Sequence, residues 1–234
     1  MGGAGELRVG RDYTPHFWNH TVYDPFGTNG VGASMANANS SGASTNYTGV
    51  RASNSIAYHS PSFNGFKAQL MTYMGENVST SAKAGSGNSL RATYDAGPLS
   101  LGIATGKTTT GTGTSWKATN YGGSFDLTVA KVMAVYSIDK VSGSSDIKGY
   151  LVGATAPVGS VGLAKLAFSE SKQGAAKSGK TALGYVHNLS KRTSVYGTYA
   201  VVTNKGGASI ALGGATGAAN KNSTGFDLGL SHSF

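Results

Sequence analysis

The chain has 234 residues, with 36 Gly, 5 Pro, no Cys, 12% charged residues and a formal net charge of +9. That length allows one large domain or two small ones, and 39% hydrophobic content with so little charge fits neither an ordinary soluble enzyme nor an acidic disordered segment. Lack of Cys excludes a disulfide framework and a Cys-ligated metal, and lack of a run of about eighteen apolar residues excludes a membrane-spanning helix.

The opening Met1, Gly2 and Gly3 lack the basic and apolar regions of a signal peptide and read as an artificial or fragmentary start. From there the chain is uniform, made of short segments of alternating polarity separated by Gly, Ser, Thr, Asn and Lys. Leu7 and Val9 oppose Glu6 and Arg8; Ile56 and Tyr58 oppose Ser55 and Ala57; Phe66, Ala68 and Leu70 oppose Lys67 and Gln69. Leu90, Ala92 and Tyr94 oppose Arg91 and Thr93, and Val132, Ala134, Tyr136 and Ile138 oppose Lys131, Ser137 and Asp139. The last segment is the clearest: Phe226, Leu228, Leu230, His232 and Phe234 share one face, and Gly225, Asp227, Gly229, Ser231 and Ser233 the other. Helical period is nowhere sustained.

About twelve strands are expected, beginning near Glu6, Arg51, Phe66, Ser89, Leu99, Trp116, Val129, Ile147, Val161, Lys180, Thr193 and Ser223. Tight turns at Phe63-Asn64-Gly65, Ala96-Gly97-Pro98, Pro157-Val158-Gly159 and Asn188-Leu189-Ser190 contrast with long polar junctions at Asn77 to Asn88 and Thr203 to Asn222. Short turns on one side and long loops on the other are the signature of an all-β, antiparallel, transmembrane barrel. Such a sheet is expected to close on itself, with a lumen too wide for side chains to fill. Which face is inside cannot be read directly, but too few large apolar residues exist to fill a core, so the polar face is expected to line water.

Several segments resemble the general porins of β-proteobacteria. They are Gly5 to Pro15, Tyr23-Asp24-Pro25-Phe26-Gly27, Arg51 to Tyr58, Gly153 to Gly159, Gly184 to Thr193 and the terminal Gly229 to Phe234. The resemblance implies an outer-membrane channel for small hydrophilic solutes and ions, a homotrimer of sixteen-stranded barrels, and a third loop folded into the lumen. It spans nearly the whole chain and starts at the fifth strand of the family pattern. The chain is therefore expected to lack about four strands, either as a non-conducting fragment or as a shortened, engineered barrel whose first strand pairs with its last. The family's trimer contacts draw on its N-terminal strands.

One domain over residues 1–234 is expected, with residues 13–50 as the constriction loop, since so long a connection is usually functional. By parity Arg8, Arg51, Lys67, Arg91, Lys131 and Lys165 point into the lumen, with Glu6, Asp95, Asp139 and Asp227 on the same side. Surplus positive charge would favour anions weakly. Asp24 is expected to face Arg8, Arg11 and Arg51 across the constriction, although Arg8 and Arg51 could equally tie the loop to the wall by ion pairs. Phe234 is read as the C-terminal membrane-assembly signal. Tyr58, Tyr73, Tyr94, Tyr136, Tyr185 and Tyr199 suit interfacial girdles as well as ordinary strand positions.

Other signals have dull explanations. Residues 174–181 match the phosphate-cradling pattern G-x-x-x-x-G-K-[ST], but a strand-like stretch follows where a helix is needed, so a flexible loop is expected. His16 and His20 have helical ligand spacing but no third partner and share a loop with Pro15. No catalytic set is apparent among the five His, and the basic residues form no single patch for nucleic acid. A channel with no cofactor or metal, in contact with outer-membrane lipid and small anions, is expected; an enzymatic barrel and a soluble β-rich binding protein are the weaker alternatives.

Overall fold

The computed structural model describes residues 3–36, 49–75 and 83–234. Within them lie β1 (Glu6–Tyr13), α1 (Pro15–Val22), β2 (Arg51–His59), β3 (Phe66–Tyr73), β4 (Gly87–Ala96), β5 (Leu99–Gly111) and β6 (Thr114–Asp126). They continue with β7 (Lys131–Val141), β8 (Ile147–Val158), β9 (Gly162–Gln173), β10 (Ala176–Asn188), β11 (Thr193–Lys205) and β12 (Ser223–His232). The strands form one twelve-stranded sheet in strict sequence order, each antiparallel to the next. No ladder joins β12 to β1 among the described residues.

Exposure settles which face is which. Leu7, Val9, Phe226, Leu228 and Leu230 are between 63% and 79% exposed, whereas Ser55, Ser89, Ser137 and Ser169 are buried. A soluble sheet buries its apolar side; this one turns it outward, the arrangement required where the surroundings are hydrocarbon. No helix is long and apolar enough to cross a membrane, so crossing falls to the strands.

The tight turns lie where expected, with Asn64, Gly65, Gly97 and Gly159 at positive φ. Three expectations are corrected. β10 begins at Ala176, not near Lys180, so most of the phosphate-loop look-alike is ladder-bonded strand and only Gly174 and Ala175 form a turn. The stretch around His16 is a helix: Thr14 caps it by accepting from Phe17 N, and Pro15 occupies the first turn, where its missing N–H costs nothing. Tyr73 is not a girdle residue, because its side chain is buried with its hydroxyl 2.7 Å from Thr108 Oγ1. Residues 37–48 of the expected constriction loop, 77–82 of the expected long junction, and Met1 and Gly2 lie outside the described residues.

An arginine on the outward face should be costly. Leu228→Arg is expected to lower stability in lipid vesicles by about 2–4 kcal/mol, read by urea unfolding, with a much smaller loss for Ser231→Arg on the opposite face. Equal costs on both faces would contradict the orientation.

Candidate functional site

The lumen wall is made of small and polar residues, and the segment after β1 lies against it. α1 packs on β4, β5 and β6. Asn19 is the hub of this contact: its Nδ2 donates to Asn120 Oδ1 at 2.8 Å and to Gly102 O at 3.2 Å, and its Oδ1 accepts from Arg91 Nε at 3.1 Å. Asn120 Nδ2 in turn donates to His16 O at 3.0 Å, and His16 Nδ1 lies 2.9 Å from Ser89 Oγ. Burial favours the neutral imidazoles, lowering the pKa of His16 to about 3, with His20 contributing, and that of His20 to about 4. Both rings therefore stay uncharged at neutral pH. Among the described residues, no third His, Cys, Asp or Glu completes a metal-binding group with them.

The next stretch is organised by Asp24. Its carboxylate accepts backbone N–H groups from Phe26 at 2.9 Å, Thr28 at 3.0 Å and Ser34 at 2.8 Å, folding residues 24–34 around itself. Burial raises its pKa, and those three donors and nearby Lys180 oppose the rise. Tyr23, Phe26, Val31 and Met35 then form an apolar cluster with Val135, Leu151, Ala167 and Leu212. Val31 N donates to Asp227 of β12, at 2.6 Å, so the segment runs across the interior from β4 to the last strand.

Wall glycines make this fit possible. A Cβ on Gly102 would strike Asn19, on Gly106 His16, on Gly122 Tyr23, on Gly153 Pro25 and on Gly184 Phe26. These glycines are sites of close approach, and they account for much of the unusual Gly content of the strands.

The structure distributes the expected site residues in three ways. Arg91 and Lys67 do face inward: Arg91 on Asn19, and Lys67 in an ion pair with Asp95 at 3.1 Å. Lys131 shares a face with buried Met133 and Val135. Arg8 is tied to Glu6 at 2.7 Å and Asp12 at 3.1 Å. Arg11 is exposed on Ser53, and Arg51 is exposed over the Tyr13 ring, bonded to its hydroxyl. The cations near Asp24 are Lys180 and Lys165 and not the three arginines: irregular pairing between Gly10 and Asp12, which leaves extra residues in β2, breaks the parity that placed Arg51 inward, and Arg11 lies on the outward parity of β1. Phe234 is fully exposed at the end of the chain. Sequence reasoning missed Asn19, Tyr23 and Lys180; wall glycines opposite Asn19 and Tyr23 were a signal for those two, and Lys180 had none.

An antiparallel sheet, apolar outside and polar inside, with a folded segment held across its interior, defines a β-barrel membrane channel. A Gram-negative porin family model matches residues 1–207, and the chain belongs to that family. It is 36% identical to outer membrane porin protein 32 of Delftia acidovorans over 252 residues, covering 100% of this chain and 71% of that protein. The anion-selective porin from Comamonas acidovorans superposes with a TM-score of 0.89 at 33% identity, over 100% of this chain and 76% of that one. The fold alone is shared with OmpT of Vibrio cholerae in its trimer form, at TM-score 0.67 and 12% identity over 97% of this chain and 76% of that one. The protein is thus an outer-membrane porin of the β-proteobacterial kind, a channel and not an enzyme.

Filling one wall glycine should unseat the loop. Gly122→Val is expected to cost about 1–3 kcal/mol and to raise single-channel conductance, while Gly179→Ala, where a methyl group meets only ordinary contacts, should change neither. Unchanged conductance in Gly122→Val would contradict the docked arrangement.

Proposed function

We propose that the protein is a passive diffusion pore for small hydrophilic solutes with a weak preference for anions, and that residues 13–50 form its constriction. One observation carries the preference: the lumen's carboxylates are engaged and some of its cations are not. Glu6, Asp12 and Asp95 are in ion pairs, Asp24 and Asp139 are buried, and Asp227 accepts from Val31. Lys131 and Lys165 are partly exposed and have no ion pair among the described residues, whereas Arg91 and Lys180 are buried as Asp24 and Asp139 are. A passing ion therefore meets net positive potential, which lowers the entry barrier for anions. The resemblance at 33% identity to a porin described as anion-selective supports the same reading.

Lys165 is the more telling of the two. Its Nζ lies 5.7 Å above the Phe26 ring, beside a cavity of about 410 Å³ also lined by Tyr185, Tyr196, Thr198 and Ser231. Phe234 is proposed as the assembly signal, supported by its exposure, and trimerisation is proposed with the support of a fold neighbour described in a trimer form. A second reading, a sheet that conducts only with further strands, is favoured by the missing ladder between β12 and β1 among the described residues.

Reversal potentials in planar bilayers under a salt gradient test the proposal. An anion-favouring potential is expected, shifting toward cations in Lys131→Glu/Lys165→Glu. A cation-favouring wild type would overturn the selectivity, and absence of discrete steps would favour the second reading.

A further inference from the structure

The outward face carries a row of lysines that the pore does not use. On the side of the sheet that carries the long β1–β2, β3–β4 and β11–β12 connections, Lys107 of β5 stands directly opposite Lys117 of β6, and Lys117 directly opposite Lys140 of β7. A second run continues the row: Lys148 of β8 opposes Lys172 of β9, Lys172 opposes Lys177 of β10, and Lys177 opposes Lys205 of β11. All seven are exposed.

Like charges directly opposite across an antiparallel pair repel at close range, so such a ladder is unfavourable in isolation. Internal acids relieve only a little of it: Lys177 pairs with Glu170 at 2.8 Å and Lys140 with Asp146 at 3.8 Å. Lys107, Lys117, Lys148, Lys172 and Lys205 have no carboxylate partner among the described residues.

Position identifies the missing counter-charge. Toward the short-turn side of this row lie the exposed apolar residues Ile103, Tyr121, Tyr136, Tyr150, Phe168 and Tyr199, which belong against hydrocarbon. The lysines therefore sit at the headgroup level of the leaflet on the long-loop side. Between Lys107, Lys117 and Lys140 the surface forms an open groove of about 570 Å³, with Asn88, Ser115 and Ser142 as further hydrogen-bonding groups. Ammonium and hydroxyl donors in a shallow groove at that depth suit phosphate.

We propose that this lysine ladder binds the phosphates of an anionic glycolipid in the outer leaflet, seated first in the Lys107–Lys117–Lys140 groove. The inference rests on the barrel's lying in the membrane and goes beyond the pore reading, since the ladder faces away from the lumen.

The test titrates the detergent-solubilised full chain with fluorescent diphosphorylated lipid A. Saturable binding is expected, weakened about tenfold or more in Lys107→Gln/Lys117→Gln/Lys140→Gln and to lesser degrees in each single variant. Lys191→Gln, which removes the same charge at the opposite end of the strands, between β10 and β11, should bind as the wild type does, and millimolar inorganic phosphate should not displace the lipid. Equal binding by the wild type and the triple variant would overturn the proposal, as would full displacement by inorganic phosphate. Bilayer conductance of the triple variant, expected to be retained, separates failure of the ladder from failure of the pore.

Discussion

The structure depends on how closely one folded segment approaches a wall of glycines. With most of the sheet's apolar face turned outward, the interior cluster draws much of its bulk from the docked segment, whose Tyr23, Phe26, Val31 and Met35 pack on Val135, Leu151, Ala167 and Leu212. Asn19, Tyr23, Pro25 and Phe26 press against strand positions with no Cβ, and Asp24 folds the stretch that carries them. Backbone groups of a segment in that position need partners, and the wall's Asn120, Ser89, Ser169 and Asp227 supply them. Flat glycine surface and convergent polar groups together hold a segment across a lumen that would otherwise be open.

The channel's electrostatics follow from the same packing. Carboxylates serve structure: Asp24 folds its loop, Asp227 anchors Val31, and Glu6 and Asp12 hold Arg8. Lys131 and Lys165 are left partly exposed in the lumen without ion pairs among the described residues, so a modest imbalance in number becomes a clearer imbalance in available charge. On the outer face the logic is reversed, since lysines aligned in register have few acids of their own.

Much of this was legible from period-two alternation, because a residue's side of the sheet depends only on parity within an unbroken strand. β12, β7 and β4 obey it throughout. It failed where the strand is irregular: the shifted register between Gly10 and Asp12, and positive φ at Asn54, moved Arg51 off the face that counting assigned it. β10 was read late because Ala176, Ser178 and Gly179 have loop-like composition, yet both neighbouring strands bond to that stretch. α1 has only eight residues, too few for helical period to show against its surroundings, and its Pro15 resembled a breaker when it is a first-turn residue. The lysine ladder was invisible because each lysine is unremarkable in its own strand, and only register sets it against the next.

The central claim is that residues 14–36 stay docked against the inner wall while the channel conducts, and a disulfide tests it most directly. The chain has no Cys of its own, so His16→Cys with Ser89→Cys, at positions whose side chains lie 2.9 Å apart, introduces a single possible bridge between α1 and β4. The account expects near-complete cross-linking on oxidation, with single-channel conductance almost unchanged because the loop is already in place. Failure to cross-link, or a conductance that falls severalfold when the bridge forms, would show that the segment spends its time elsewhere.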